Sequence, residues 1–140
     1  MGVRVPPGAP FKDVKMKYYT YVFVRQDLSP EQQLVQAAHA TFLLGVQSQR
    51  VDRDFNSSGI IPCQMNESIN AAETHFTVIG VRDLRALQAV LDILIKFGYL
   101  FEMFFEPDIK PSGEYTAIAT YPIPEDHRNV LMAFNLLKMK

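Results

Sequence analysis

Residues 18–40, YYTYVFVRQDLSPEQQLVQAAHA, join a strand pattern directly to a helix pattern. The run Tyr18–Arg25 is rich in aromatic and β-branched residues and carries almost no charge, which is typical of a strand buried on both faces. Ser29 then fits a helix N-cap, Pro30 the first helical position and Gln32 the capping-box position. This stretch therefore predicts a strand followed at once by a helix that begins at about Pro30.

The predicted first helix ends near residues 45–49. Its apolar residues recur at helical spacing, and we expect them to form the face that packs on the sheet. They are Leu34, Val35, Ala38, Thr41, Phe42 and Leu44. Residues 50–72 lack a clear period and contain Asn, Ser, Gly and Pro, which predicts a long loop that is either mobile or functional.

The rest of the chain alternates strand and helix patterns. We predict strands at 74–81, 100–105 and 115–121 and helices at 84–97 and 125–138. Asp83 or Arg82 opens the second helix, and Gly98 closes it as a left-handed cap.

The resulting order of elements is β-α-β-α-β-β-α. Strand-helix-strand crossovers give parallel neighbours, whereas a short turn gives an antiparallel pair. We therefore expect an α/β protein with three α-β-α layers around a mixed four-stranded sheet. Residues 1–16 hold three prolines and two glycines, so we expect a flexible proline-rich arm before a single domain at 17–140.

Composition narrows the classes of function. The chain has 140 residues, 48% of them hydrophobic and 21% charged, which fits one folded domain. The formal net charge is -1, so no overall positive field attracts nucleic acid; DNA is not expected as a partner, and RNA contact must be local. The single cysteine, Cys63, cannot form an internal disulfide.

No run of the sequence is apolar enough to export the chain or to span a bilayer, so we expect a cytoplasmic protein with no membrane partner. Phosphate-binding loops, nucleophile elbows and metal-binding motifs are absent from the sequence. We therefore expect no cofactor and no metal.

Polar side chains concentrate where the first strand passes into the first helix. Arg25 and Asp27 stand at the turn, and Gln32, Gln36 and His39 follow at spacings that place them on one helical face. Two interpretations stay open. The set is either an ordinary polar face with His39 half-buried beside the core, or a polar strip directed at a ligand.

A second polar set surrounds the predicted hairpin in FFEPDIKPSGEYTAIA, residues 104–119. Glu106, Asp108 and Thr116 flank the turn. Paired carboxylates can perform acid-base chemistry, although an aspartate in a turn also commonly caps its own backbone. His75 and His127 are interpreted as structural or surface residues.

Taken together, these segments resemble the type II peptidyl-tRNA hydrolases, the archaeal and eukaryotic kind, from Tyr18 to the C-terminus. That family opens with a strand that ends in R-x-D-L and a helix that carries G-K and Q-x-x-H-A. The matching residues are Arg25, Asp27 and Leu28 for the first motif and Gln36, His39 and Ala40 for the last. A strand-ending aspartate, a G-x-x-T turn and a closing proline follow in the family, and Asp108, Gly113, Thr116 and Pro122 fit that order.

Members of this family cleave the ester that joins a peptide to the terminal ribose of tRNA. The resemblance implies catalytic roles for Asp108, Thr116, Gln32 and His39, and substrate-binding roles for Arg25, Asp27, Gln36 and Lys110. Here Asp108 would orient or activate water, and Thr116 and Gln36 would position the ester. The implied partner is the 3′ end of tRNA.

The chain departs from the family at two places. Gln32 stands where the motif lysine is expected and Glu31 replaces its glycine, and the D-A-G-R-T element has no counterpart because the link from Asp108 to Thr116 is shorter. Loss of an oxyanion-stabilising group costs roughly 3 to 4 kcal/mol in comparable sites. Either Lys110 or Arg25 supplies the cation, or the ester chemistry has been lost.

The sequence therefore predicts a divergent hydrolase-like protein with altered or lost activity. One alternative is a non-catalytic binding or assembly module on the same fold, which uses the arm and the 50–72 loop to hold a protein partner or a second copy in a homodimer. A third hypothesis is a related small-molecule enzyme with its pocket near Asp27, His39 and Asp108.

Overall fold

The computed structural model describes residues 17–58, 74–109 and 111–128. The predicted arm at 1–16, residues 59–73 of the predicted loop and the last helix beyond residue 128 lie outside these ranges. The elements are β1 (Tyr18–Arg25), α1 (Pro30–Ser58), β2 (Thr74–Val81), α2 (Leu84–Lys96), β3 (Phe101–Glu106), β4 (Glu114–Thr120) and β5 (Ile123–Pro124), followed by a 3-10 turn at Glu125–His127.

The strands form one mixed sheet in the order β2-β1-β4-β3. β1 and β2 are parallel, while β4 runs antiparallel to both β1 and β3. The expectation of an α/β protein with a mixed sheet is confirmed. Over the described residues the sheet has five strands rather than four, because the short β5 continues the path of β4 and pairs Ile123 with Tyr19 of β1.

In the described part of the chain, each face of the sheet carries one helix and one hydrophobic core. On one face α2 covers the odd-numbered residues of β1, and Tyr21, Phe23, Leu87 and Leu94 belong to this core. On the other face α1 covers the even-numbered residues, and Val22, Val24, Ala40 and Leu44 belong to that core. β1 is thus buried on both faces, as its uncharged pattern predicts.

Local signals set the start of α1 and both ends of α2. The Ser29 Oγ accepts a hydrogen bond from the backbone N–H of Gln32 at 3.2 Å, which confirms the predicted N-cap. Asp83 Oδ1 caps α2 by accepting from the Ala86 N–H at 3.0 Å. Gly98 ends α2 with a φ of +74°, the left-handed geometry expected for a C-terminal cap.

The predicted end of α1 near residues 45–49 is wrong. The helix continues through Gly45 to Ser58, so the predicted 50–72 loop is wrong over residues 50–58. The physical reason is that one glycine costs a helix only about 1 kcal/mol, and the Gln and Arg residues that follow favour helix. The next residue that breaks a helix strongly, Pro62, comes later in the chain.

The predicted buried face of α1 is also wrong in most of its residues. Leu34 is 76% exposed and Phe42 74% exposed, and Val35 and Ala38 lie on the same outer surface. Leu44 of the predicted face is buried, and beside it the helix buries Gln36 and Ala40 against the sheet. The part of the sheet that contacts the start of α1 presents the polar side chains of Glu106 and Thr116. Gln36 can be buried there because it is hydrogen-bonded to them.

Candidate functional site

The two polar sets predicted from the sequence meet in space. The first turns of α1 lie against the hairpin that joins β3 to β4, and hydrogen bonds link Gln36 of the helix to Glu106 and Thr116 of the hairpin. These bonds span 70 and 80 positions of the chain. The polar strip of α1 therefore faces the hairpin, and its role toward a ligand stays a prediction.

Gln36 is the centre of this polar cluster, which we define as Gln32, Gln36, His39, Glu106 and Thr116. Its Nε2 donates to Gln32 Oε1 at 3.1 Å and to Glu106 Oε1 at 2.9 Å. Its Oε1 accepts from the Thr116 hydroxyl at 2.8 Å. Both amide hydrogens and the carbonyl oxygen thus have partners, which explains how a fully buried glutamine is accommodated.

A β-bulge brings Thr116 to the helix. Phe104 pairs with Ala117 and Phe105 pairs with Tyr115, so β4 holds one more residue than β3 at this point, and that residue is Thr116. The turn before it depends on Gly113, whose φ is +78°. A Cβ at Gly113 would lie 2.6 Å from the Phe105 ring, so glycine is required there for space as well as for conformation.

Glu106 and His39 form the more accessible side of the cluster. The Glu106 side chain is 13% exposed, and the His39 Nδ1 lies 3.8 Å from its Oε1. The His39 ring, 47% exposed, also packs against Phe104 with ring centroids 4.6 Å apart. Gln36 and Thr116 lie behind these two residues and are fully buried, so in this conformation they can act on a ligand only through their neighbours.

Arg25 forms a second polar group at the end of β1. Its guanidinium makes a two-pronged contact with Asp27 at 3.0 and 2.7 Å and donates to Glu114 Oε1 at 2.6 Å and to the Tyr115 carbonyl at 3.1 Å. The hydrogen bonds to Asp27 and Glu114 raise the pKa of Arg25 above its ordinary value. Arg25 is only 4% exposed, and these hydrogen bonds keep it charged in spite of its burial, so it ties β1 to the hairpin.

Two residues predicted for the site, Asp108 and Lys110, belong to the turn of the hairpin and are not part of the polar cluster as defined above. Asp108 is exposed, and its backbone N–H lies 3.4 Å from Glu106 Oε2. Lys110, predicted to bind substrate, lies outside the described residues. The acid that ends β3 is Glu106 rather than Asp108. The sequence places Glu106 beside the turn, but the predicted site does not include it. Its position directly after the predicted strand 100–105 is the feature that could have identified it as the strand-end acid.

The accessible surface of this region is neutral to acidic. Gln32 and Asp108 are exposed, the Asp27 side chain is 39% exposed, and Glu106 is partly open. The positive charge that the structure describes here, on Arg25, is opposed by two carboxylates. Phosphate groups are therefore only weakly attracted to this part of the surface.

Two general properties of the described residues complete the picture. Within 17–58, 74–109 and 111–128, no three His, Cys, Asp or Glu side chains come together in a group that could hold a metal ion. In the same part of the chain, no helix has the length and apolar character needed to cross a membrane.

The fold and the site together define an α/β protein with a polar cluster where the first helix meets the β3-β4 hairpin. A scan against models of protein families finds no match to the chain. A search of curated proteins also finds no match.

Proposed function

We propose that this chain is a divergent relative of the type II peptidyl-tRNA hydrolases, and that its polar cluster receives the ester at the 3′ end of a charged tRNA. The observation that carries the proposal is a pair of hydrogen bonds at Gln36. Its amide donates to Glu106 at 2.9 Å and accepts from the Thr116 hydroxyl at 2.8 Å. These hydrogen bonds join the Q-x-x-H-A segment of the helix to Thr116 of the hairpin, and both of these carry the resemblance. They also join it to Glu106, the acid that ends β3, where the resemblance expects Asp108.

In the proposed reaction Glu106 is the general base. Its carboxylate takes a proton from water, and the hydroxide oxygen bonds to the ester carbonyl carbon. The bond from that carbon to the ribose oxygen then breaks, and the proton passes to the ribose oxygen, with His39 close enough to Glu106 to carry it. Gln36 and Thr116 are positioning residues, because Gln36 holds the Glu106 side chain, Thr116 holds Gln36, and neither reaches the surface.

The oxyanion in this scheme is stabilised less well than in the family. The exposed Gln32 can donate a hydrogen bond but brings no charge. Losing one such stabilising interaction lowers kcat by roughly a hundredfold to a thousandfold in comparable sites. We therefore propose slow hydrolysis of a charged tRNA that is held mainly through its 3′ end.

The test is a single-turnover assay of peptide release from peptidyl-tRNA with enzyme in excess. We expect release by the natural protein and its loss in Glu106→Gln, which keeps the hydrogen bond from Gln36 but cannot take the proton. The matched control is Glu102→Gln on the same strand, where the amide can still accept from the Tyr121 hydroxyl. Asp108→Asn, tested beside it, shows whether the exposed turn aspartate is the base instead. No release at any enzyme concentration would rule out the hydrolase.

The alternative function is a non-catalytic binding or assembly module on the same fold. The observation that favours it is the pairing of the Arg25 guanidinium with Asp27 and Glu114. Because Arg25 is engaged in these ion pairs, it is not directed at a substrate in place of the motif lysine. This function predicts that deletion of residues 1–14 weakens binding to a partner while the domain still folds. Unchanged sedimentation and pull-down behaviour after the deletion would count against it.

A further inference from the structure

Among the described strands, β2 stands at one edge of the sheet and β3 at the other, and the two edges differ in their protection. β3 carries Glu102 and Glu106 and adjoins a β-bulge, all of which discourage pairing with another strand. β2, Thr74–Val81, has eight residues in the sequence THFTVIGV, without Asp, Glu, Lys, Arg or Pro. An edge strand that is long, apolar and uncharged is a template for pairing with another chain.

The direction of the outer backbone groups of β2 follows from one hydrogen bond. The Gln26 N–H donates to the Val81 carbonyl at 2.7 Å, so the polar groups of Val81 point toward β1. Backbone direction alternates along a strand, and the residues that point away from β1 are therefore Thr74, Phe76, Val78 and Gly80. Their N–H and C=O groups form the outer edge of the sheet.

The side chains of this edge are apolar and exposed. Ile79 and Val81 belong to the core under α2, so Phe76 and Val78 lie on the face that carries α1. α1 packs mainly on β1, β3 and β4 and leaves Phe76 50% exposed and Val78 60% exposed. The same residues thus present open backbone groups and open apolar side chains.

We propose that β2 pairs antiparallel with β2 of a second copy of this chain, about a two-fold axis at Thr77. In this register the outward backbone groups of Phe76 face those of Val78 in the other copy, and the reverse pair forms across the axis. The two phenylalanines and two valines then make aromatic-to-β-branched cross-strand contacts on one face. One sheet runs through both copies.

The second copy is favoured as occupant because β2 is complementary to itself. The two-fold operation sets each outward donor opposite an outward acceptor and places no like charges together, since the strand contains none of the permanently charged residues. Strand pairing buries less area than a standard interface, so we expect a reversible dimer whose population rises with concentration. The inference does not depend on the hydrolase proposal, because β2 contributes no residue to the polar cluster.

The first test measures the dimer dissociation constant by analytical ultracentrifugation of the full chain. Val78→Lys adds a charge on each side of the axis, and we expect the constant to rise about tenfold or more. The matched control is Ile95→Lys, because Ile95 is also 60% exposed but belongs to α2, which covers the opposite face of the sheet from Val78. Circular dichroism and thermal unfolding confirm that each variant is folded.

The second test is cross-linking, which detects the proposed dimer directly instead of by disrupting it. In the proposed register Thr77 faces itself in a pair without hydrogen bonds, where the Cα atoms are about 4.5 Å apart and a disulfide fits. In a Cys63→Ser background, Thr77→Cys is expected to form a covalent dimer on mild oxidation, whereas His75→Cys is not. A chain that stays monomeric, a dimer unaffected by Val78→Lys, or equal cross-linking of the two cysteine variants overturns the proposal.

Discussion

Gln36 and Thr116 are separated by 80 positions in the chain and joined by a buried hydrogen bond of 2.8 Å. The bond helps to set the rotation of α1 about its axis, because it holds the polar Gln36 inward while Leu34 and Phe42 lie on the outer side of the helix. It also presents the other end of the same amide to Glu106 at 2.9 Å. One side chain therefore orients the helix and the candidate base together.

Replacement of Gln36 by leucine should destabilise the protein. The leucine fills a similar volume but leaves the Glu106 carboxylate and the Thr116 hydroxyl without their partner, and each loss of a buried polar contact costs about 1 to 3 kcal/mol. We expect the free energy of unfolding to fall by about 2 to 4 kcal/mol, measured by urea denaturation.

The matched control for this change is Gln88→Leu on the exposed side of α2, where we expect a change within about 0.5 kcal/mol. A double-mutant cycle of Gln36→Leu with Thr116→Val then measures the coupling of the pair. Purely additive losses would show that the two residues act independently.

Gly45→Ala should stabilise α1. Gly45 lies inside the helix, and a Cβ there would meet no atom within 4 Å. Alanine restricts the unfolded chain and favours helix, so we expect a gain of about 0.5 to 1 kcal/mol in the free energy of unfolding.

Gly98→Ala is the control for the glycine change, because a Cβ at Gly98 also has free space while its φ is +74°. There the alanine should cost about 1 kcal/mol, since the left-handed backbone region disfavours a Cβ. If Gly45→Ala were destabilising by a similar amount, α1 would not continue through this position in solution.

Arg25→Met should destabilise the junction of β1 with the hairpin. It leaves Asp27 and Glu114 without the guanidinium that now lies 2.7 and 2.6 Å from them. Removing one partner of a buried pair is costly, but Asp27 is partly solvated, so we expect a loss of about 2 to 3 kcal/mol in chemical denaturation. Arg82→Met provides the comparison, because Arg82 is 86% exposed and its contact with Asp83 is 3.9 Å. Equal losses in the two variants would contradict a structural role for Arg25.

Tyr21 and Tyr121 should resist ionisation at alkaline pH. Burial raises the pKa of both above the ordinary 10.0, and for Tyr121 the hydrogen bond to Glu102 adds to the effect. The folded protein then holds these protons at a pH where the unfolded chain has lost them. Their contribution to stability is complete below pH 10.0 and is lost progressively as the pH rises above it.

The measurement is an ultraviolet titration of tyrosinate, paired with denaturation at several alkaline pH values. Tyr121→Phe should remove one tyrosine titration step at high pH. The free energy of unfolding should then fall less steeply as the pH rises. A single titration step near the ordinary tyrosine pKa, in protein that circular dichroism shows to be folded, would contradict the expectation.

The sequence by itself determined the elements whose causes are local. The bounds of β1 and β2, the start of α1 after Ser29, and the Asp83 and Gly98 ends of α2 all agree with the predictions. Each follows from a run of similar residues or from a side chain that bonds its own neighbours, and such interactions need no distant partner. The approach of the two polar sets was implied only by the resemblance, which takes its site residues from both sets.

Tertiary structure alone decided which face of α1 is buried and which acid joins the site. The apolar periodicity of α1 favours Leu34 and Phe42, but the sheet offers Glu106 and Thr116, and hydrogen bonds to these distant groups outweigh the pattern. Likewise the end of β3 at Glu106, and the bulge that turns Thr116 toward the helix, depend on pairing with β4. A helix with two candidate faces is oriented by the surface it meets, and that surface comes from residues far along the chain.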